Sequence, residues 1–555
     1  MSIACGADYD TAVDSPTTVR GIAVVAVVAL LGGCSTLNPA PVPSPGATTG
    51  ASQTPTIGPS PTAPPPAMFP LAVVTGLTSL KSVITLDELV ALASDGQLVV
   101  PCGVDVAQPM LTASAPCLWA DRMAEAIGAD QDLVALLPPG LVEPATKVLP
   151  VAGDGPFGLL GPDLFGDPEA RALPYPVIGS TIPDDPYALE PAWIAYNASQ
   201  IWTMTSIGSL CADRAAAKQA VTLGKGWDWV FNGGTARYKG KPIRNPNPPP
   251  GLDPAIIVQP VDTGNKGVTP SILERSDVAI ADHECPIMPS KGWAPNLGSA
   301  LAFSVPEDVL PRWRDFLGLD AVYLAANHMS DRGVAGIRST LKLLDKHGIP
   351  RTGLGMNLDE ALEPAYVDVA GLKVGFVAWN DVGGVTRADE DTAGVAWITR
   401  ANVNATVRRA RVGGADLVIC DPQWWGGAEY HDDLKATQIK HLGWFDKAGC
   451  DHVIGEGTHV AGPLLLRKRA GALSLVSASS GNYLFGQGWW QEVQEGFILD
   501  MRFRGTTLVN VRLHPYVMIL AARPSLLDPE GDGHYVLERV WDSAEVDYRG
   551  EAEGP

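Results

Sequence analysis

Between residues 192 and 522 six short apolar runs recur, and most of them stop on side chains able to do chemistry. They read WTMTSIG, DVAIADHE, AVYLAANH, LKVGFVAWN, ADLVICDPQ and HVIGEG. Runs of this length fit buried strands, since a strand covered on both faces needs no polar alternation. Between several of them lie segments such as VAGIRSTLKLLDKHG and LKATQIKHLGWFDKAG, whose apolar residues recur three and four apart. That is the spacing of a helix with one buried face. Strand, helix and strand in alternation predict an α/β sheet with reactive side chains gathered at the strand ends. After Leu464 the pattern turns strand-rich (LLLRK, ALSLVSASS, FILDMRF, TLVNVRL), as a second sheet packed on the first requires.

Composition bounds the rest. The 555 residues are 46% hydrophobic and only 18% charged, which suits several folded domains and excludes wholesale disorder. A net charge of −21 repels phosphate backbones, so general nucleic-acid binding is excluded. Eight cysteines without a CxxC pair support neither a disulfide scaffold nor a zinc ribbon.

The first 68 residues carry address information. Gly21 to Leu31 is an apolar run too short to span a bilayer, preceded by Arg20 and followed by Gly32, Gly33 and Cys34. Residues 1–33 read as a signal peptide, with the acidic residues 1–18 as a start-site artefact. Leu31-Gly32-Gly33-Cys34 resembles a bacterial lipoprotein box, which implies lipidation of Cys34 and a membrane-anchored protein on the extracytoplasmic face. Residues 34–68 are rich in Pro, Ser and Thr and read as a disordered spacer. Residues 69–188 are expected to form an accessory α/β domain of unknown role. In an exported chain the compartment permits a bridge between Cys102 and Cys117. Residues 523–555 are expected to be a charged surface extension of the 192–522 domain.

The strand ends of that domain form an ordered set. They are Gly208-Ser209 with Arg214, Asp282-His283-Glu284, Ala325-Ala326-Asn327-His328-Met329-Ser330-Asp331, Trp424-Trp425-Gly426-Gly427-Ala428-Glu429, Gly455-Glu456-Gly457-Thr458-His459 and Ser480-Gly481-Asn482. In order and spacing this set resembles the CapA family, the bacterial poly-γ-glutamate capsule synthesis proteins, over roughly residues 200–515. The resemblance implies a metallophosphatase-like αββα sandwich, two packed mixed sheets flanked by helices, preceded here by the smaller α/β domain. It also implies capsule-synthesis proteins or an anionic polymer as partners. Five departures stand out. Ser209 replaces an expected Asp, Asp282 an Asn, Ala326 an Asn and Trp424 a His, and Glu456-Gly457 stand where a histidine is usual.

By resemblance, Glu284, Asn327, His459 and Asp282 are the candidate ligands of a metal, and His328, Asn327 and Asp331 the candidate catalytic residues. Arg214, Glu429 and Asn482 are the candidate substrate contacts. A serine hydroxyl stays protonated and an indole offers no lone pair, so a two-metal hydrolytic centre has lost about two ligands. One divalent ion is then the most that is expected. Two readings stay open: a metal-dependent phosphoesterase-like hydrolase with a reduced site, and a noncatalytic envelope module that binds polymer. The substitutions at 209 and 424 favour the module.

Overall fold

The computed structural model describes residues 68–112, 114–152, 177–181, 201–244, 256–298, 300–469 and 472–542. The expected signal peptide, Cys34 and all of the spacer but its last residue lie outside the described residues, as do 543–555. Pro65 to Pro555 form one compact unit.

Its N-terminal module is a five-stranded sheet in the order Cys117–Leu118, Leu98–Pro101, Val134–Leu137, Ala72–Gly76 and Thr146–Val148. The helix Leu86–Ser94 starts at Thr85 in a reciprocal cap. The Glu88 N–H donates to the Thr85 hydroxyl, and the Thr85 N–H donates to the Glu88 carboxylate. Cys102 and Cys117 are disulfide-bonded with Cα atoms 4.9 Å apart.

The larger part is a four-layer sandwich. The strands used below are β1 (Ile201–Cys211), β2 (Val278–His283), β3 (Leu319–Tyr323), β4 (Leu372–Asn380), β5 (Leu417–Gln423), β6 (His452–Ile454), β7 (Asn482–Phe485), β8 (Glu495–Arg504), β9 (Thr507–Ile519) and β10 (Arg523–Leu526). In the ten-stranded sheet β1, β2 and β3 run parallel, while β8, β9 and β10 continue antiparallel on the other side of β1. In the six-stranded sheet β4, β5 and β6 are parallel neighbours. Met204, Ile280, Phe376, Ile419, Ile454 and Leu499 meet in one apolar layer between the sheets. Helices Trp227–Phe231, Leu310–Asp315 and Gly333–His347 cover the outer face of the first sheet, and helices Arg400–Val412 and Ala436–Ala448 cover the second. The result is the αββα sandwich of two mixed sheets.

The expectation of a surface extension from residue 523 needs correction. Arg523–Leu526 is β10, paired with β9, and helix His534–Asp542 buries Val536, Leu537 and Val540 in the layer between the sheets. Charge density misled here. The helix is amphipathic, with its apolar positions three and four apart, and the buried Arg523 is neutralised by Asp262.

Candidate functional site

The site is assembled where parallel strands end together. Gly208 lies so close to the next segment that a Cβ on it would sit 1.8 Å from the Gly481 carbonyl oxygen. Only glycine fits there. That approach lets the Ser209 N–H donate to Gly481 at 3.1 Å, while the Ser209 hydroxyl donates to Glu284. A disulfide between Cys211 and Cys285 ties the ends of β1 and β2 just beyond this contact.

Strand alternation decides which acids go where. On β2, Val278 and Ile280 face the inter-sheet layer, so Asp282 faces it as well. On β5, Leu417 and Ile419 face the same layer, which brings Asp421 into it from the opposite sheet. Asp421, Asp282, Glu284 and Glu456 are all buried, and their charges act on one another. Burial first, and then the neighbouring acids, hold Asp282 and Asp421 well above the usual carboxylate range. Burial pushes Glu456 up to about 8, although the Ser480 N–H and Ser479 hydroxyl donate to it at 2.9 and 3.0 Å. Residue-type reading of the sequence missed Asp421. Its even spacing from Leu417 and Ile419 within an apolar run was the available signal.

Above these acids a cleft of about 320 Å³ is lined by Arg214, Asn327, His328, Asp331, Glu429 and His459, with Phe303, Tyr430 and Trp489 as aromatic walls. His328 Nδ1 faces the Asp331 carboxylate at 3.0 Å, and Asp331 also accepts the Phe303 N–H at 2.8 Å. The imidazole therefore carries its proton on Nδ1 and is held edge-on to Phe303, 4.5 Å between ring centres. Arg214 lies over the same Phe303 ring at 4.3 Å. Asp213, unremarked in the sequence, accepts the N–H groups of Arg214, Asn296 and Ser304 and so pins Asn296 and Ser304 beside Arg214. A second, more open hollow of about 620 Å³ shares Arg214, Leu301 and Trp489 with the cleft and adds Lys218 and Leu297. The two adjoin along those three residues, as parts of a groove.

Three expected residues do not line the cleft. Glu284 and Asp282 are buried, and Asn482 is a positioning residue rather than a substrate contact. The Asn482 amide donates to Gln487 and the Val493 carbonyl, and its oxygen accepts from His459 Nδ1 at 2.9 Å. This satisfies Asn482 completely and leaves His459 with Nε2 as its basic nitrogen. Trp424 continues the outward parity of Val418 and Cys420 into the helix-covered core, where its indole donates to Ala478. Trp424 therefore does not line the cleft. Trp425 and Trp489 do line the cleft.

Residues 252–487 match the family model for the bacterial capsule synthesis protein PGA_cap. The domain is of the CapA family. The capsule biosynthesis protein CapA of Bacillus anthracis is 25% identical over 199 residues, which is 35% of this chain and 47% of that protein. The PGA biosynthesis protein CapA of Bacillus subtilis (strain 168) is 29% identical over 167 residues, 30% of this chain and 42% of that protein. The match thus spans less than half of either relative. Among solved structures, a 5'-nucleotidase precursor from Thermus thermophilus superposes over 62% of this chain and 58% of its own, with 13% identity and a TM-score of 0.33. A hypothetical protein from the same organism covers 45% of this chain and 92% of its own, with 14% identity and a TM-score of 0.29.

Three of the positions weighed for a metal centre are taken up by contacts within the protein. The Ser209 hydroxyl is a donor to Glu284, the Asn327 carbonyl accepts from Gln423 at 3.2 Å, and Trp424 lies in the core. Among the described residues no three His, Cys, Asp or Glu side chains form a metal-holding group. Unpartnered oxygens do exist on Asp282 and Glu284, both buried. Burial and the neighbouring acids favour a retained proton on Asp282.

Proposed function

We propose that this CapA-type domain binds an anionic capsule polymer of the poly-γ-glutamate class in the cleft and its groove, and acts in capsule synthesis as a binding module with little or no hydrolase activity. The observation that carries this reading is the junction at Arg214. A guanidinium stacked on Phe303 stands there beside Lys218, with the exposed Leu297 and Leu301 and the ring of Trp489 alongside. Cations next to apolar surface suit a chain that alternates carboxylates with methylenes, and they locally reverse a protein charge of −21. Titration of poly-γ-glutamate into the purified protein is expected to show saturable binding, weakened about tenfold or more by Arg214→Gln. Unaltered affinity in that variant would remove the reading.

The second reading, a reduced-site phosphoesterase, is favoured by one observation, the His328–Asp331 pair opening on the cleft. Were it correct, His328→Ala would lower turnover by a factor on the order of 10² to 10⁴ with the fold intact. In the binding reading the parent protein turns over no phosphoester, and His328→Ala alters polymer affinity only modestly. Elemental analysis after dialysis is expected to give at most about one equivalent of divalent ion. Two equivalents would mean that the buried acids have rebuilt a paired site.

Location at the outer membrane face, through a lipid on Cys34, belongs to the same proposal. All six cysteines among the described residues are paired, in Cys102–Cys117, Cys211–Cys285 and Cys420–Cys450, which supports an oxidising compartment. Cys34→Ser is expected to move the protein from the membrane fraction to the soluble one, because stable anchoring needs the lipid chains. Retention of the variant would sink the anchor.

A further inference from the structure

The seam between the N-terminal module and the sandwich encloses a cavity of about 200 Å³ whose lining includes Ser79, Ser82, Lys147, Arg512, His514 and Trp541. The cavity exists because strand Thr146–Val148 lies along β9. Asn510 donates to the Thr146 carbonyl at 3.0 Å and Arg512 to the Val148 carbonyl at 2.7 Å. Asn510, Arg512 and His514 alternate on one face of β9, so three polar side chains meet the module together.

Lys147 is the unusual member. It is 8% exposed, its ammonium donates to the Ser79 carbonyl, and no carboxylate among the described residues comes within ion-pair distance of it. The acids nearby are engaged elsewhere. Asp132 accepts the Ser79 hydroxyl at 2.6 Å, Glu530 accepts the N–H and hydroxyl of Ser82 at 3.0 and 3.2 Å, and Asp500 faces His514 at 2.9 Å. Burial, and then the Arg512 guanidinium, push the Lys147 ammonium down to about 7, with Glu530 and Asp132 compensating only in part. Lys147 thus lines the same cavity as a second cation, and a buried ammonium without a carboxylate is costly.

We propose that this seam is a binding site for a small oxyanion, a carboxylate or phosphate group, held by Lys147 and Arg512. Bound there, the anion joins the module to the sandwich and stabilises both. The site is separate from the cleft and does not depend on what the cleft binds.

Thermal melts of the whole protein in millimolar phosphate, sulfate or acetate, each against chloride at equal ionic strength, test the site. One of these oxyanions is expected to raise Tm by about 3 °C or more relative to chloride. The accompanying change in tryptophan fluorescence should vanish in Trp541→Phe. The ranking of phosphate against acetate identifies which group the site prefers. Lys147→Met removes a buried charge and is expected to fold in chloride while losing the oxyanion response. Should it fail to fold, Arg512→Gln provides the same readout. Equal Tm values in chloride and in all three oxyanions, or a response that survives in a folded variant, would overturn the site.

Discussion

Replacing Glu456 by glutamine is expected to stabilise the fold at pH 8 by on the order of 4 kcal/mol, and to change little at pH 4. The folded protein holds this carboxyl at about 8 against an ordinary 4.5, so between those values the native state keeps a proton that the unfolded chain releases. Stability contributed by that proton is complete below about 4.5 and is lost as pH rises through about 8. Glutamine stays neutral throughout and still offers an oxygen to the Ser480 N–H. Urea denaturation of parent and variant at several pH values should show a gap that widens with pH; a gap independent of pH would show that Glu456 is already ionised in the fold. Asp282 and Asp421 shift in the same direction, so the variant should keep part of the parent's slope. A divalent ion that stabilises the parent at pH 8 and not the variant would instead reveal a cation among these acids.

Removing the Cys211–Cys285 bridge, as Cys211→Ala with Cys285→Ala, is expected to lower stability by on the order of 4 kcal/mol. The bridge closes a loop of 74 residues, so its loss returns substantial freedom to the unfolded chain. The bridges of 30 residues at Cys420–Cys450 and of 15 at Cys102–Cys117 should each be worth less. Denaturant midpoints of the three paired variants give the order directly. Because Ser209 and Glu284 sit beside the longest bridge, its removal should also weaken the polymer binding proposed for the cleft, which removal of Cys102–Cys117 should leave unchanged. An equal effect of all three on binding would mean that the bridges act only on global stability.

Pattern made much of this protein legible before any coordinates. The helical spacing of VAGIRSTLKLLDKHG corresponds to helix Gly333–His347, which ends at Gly348, whose φ of +67° a side chain would resist. The alternation of apolar runs with helical spacing set the α/β order, because burial on both faces leaves that mark on a strand regardless of its partners. Asn327, His328 and Asp331 were readable as one unit because they are nearly adjacent in the chain, and they do line one cleft.

What remained was set by contacts between segments far apart. Asp421 is 139 residues from Asp282, and only the stacking of β5 on β2 across the inter-sheet layer makes them neighbours. Asn482 looked like a substrate contact until the Gln487, Val493 and His459 partners used up its amide. Two of the three disulfides join cysteines whose spacing carries no signal, since the pairing depends on which strands lie side by side. Residues 523–542 read as surface from their charge, yet they include a strand inside the sheet and a helix that buries an apolar stripe. The sequence by itself determined the elements and the local motifs, because local periodicity encodes burial. Which acids are buried together, which histidine nitrogen is free and where a lysine is left without a carboxylate were decided by the tertiary structure, because those properties belong to neighbours that the chain brings together only on folding.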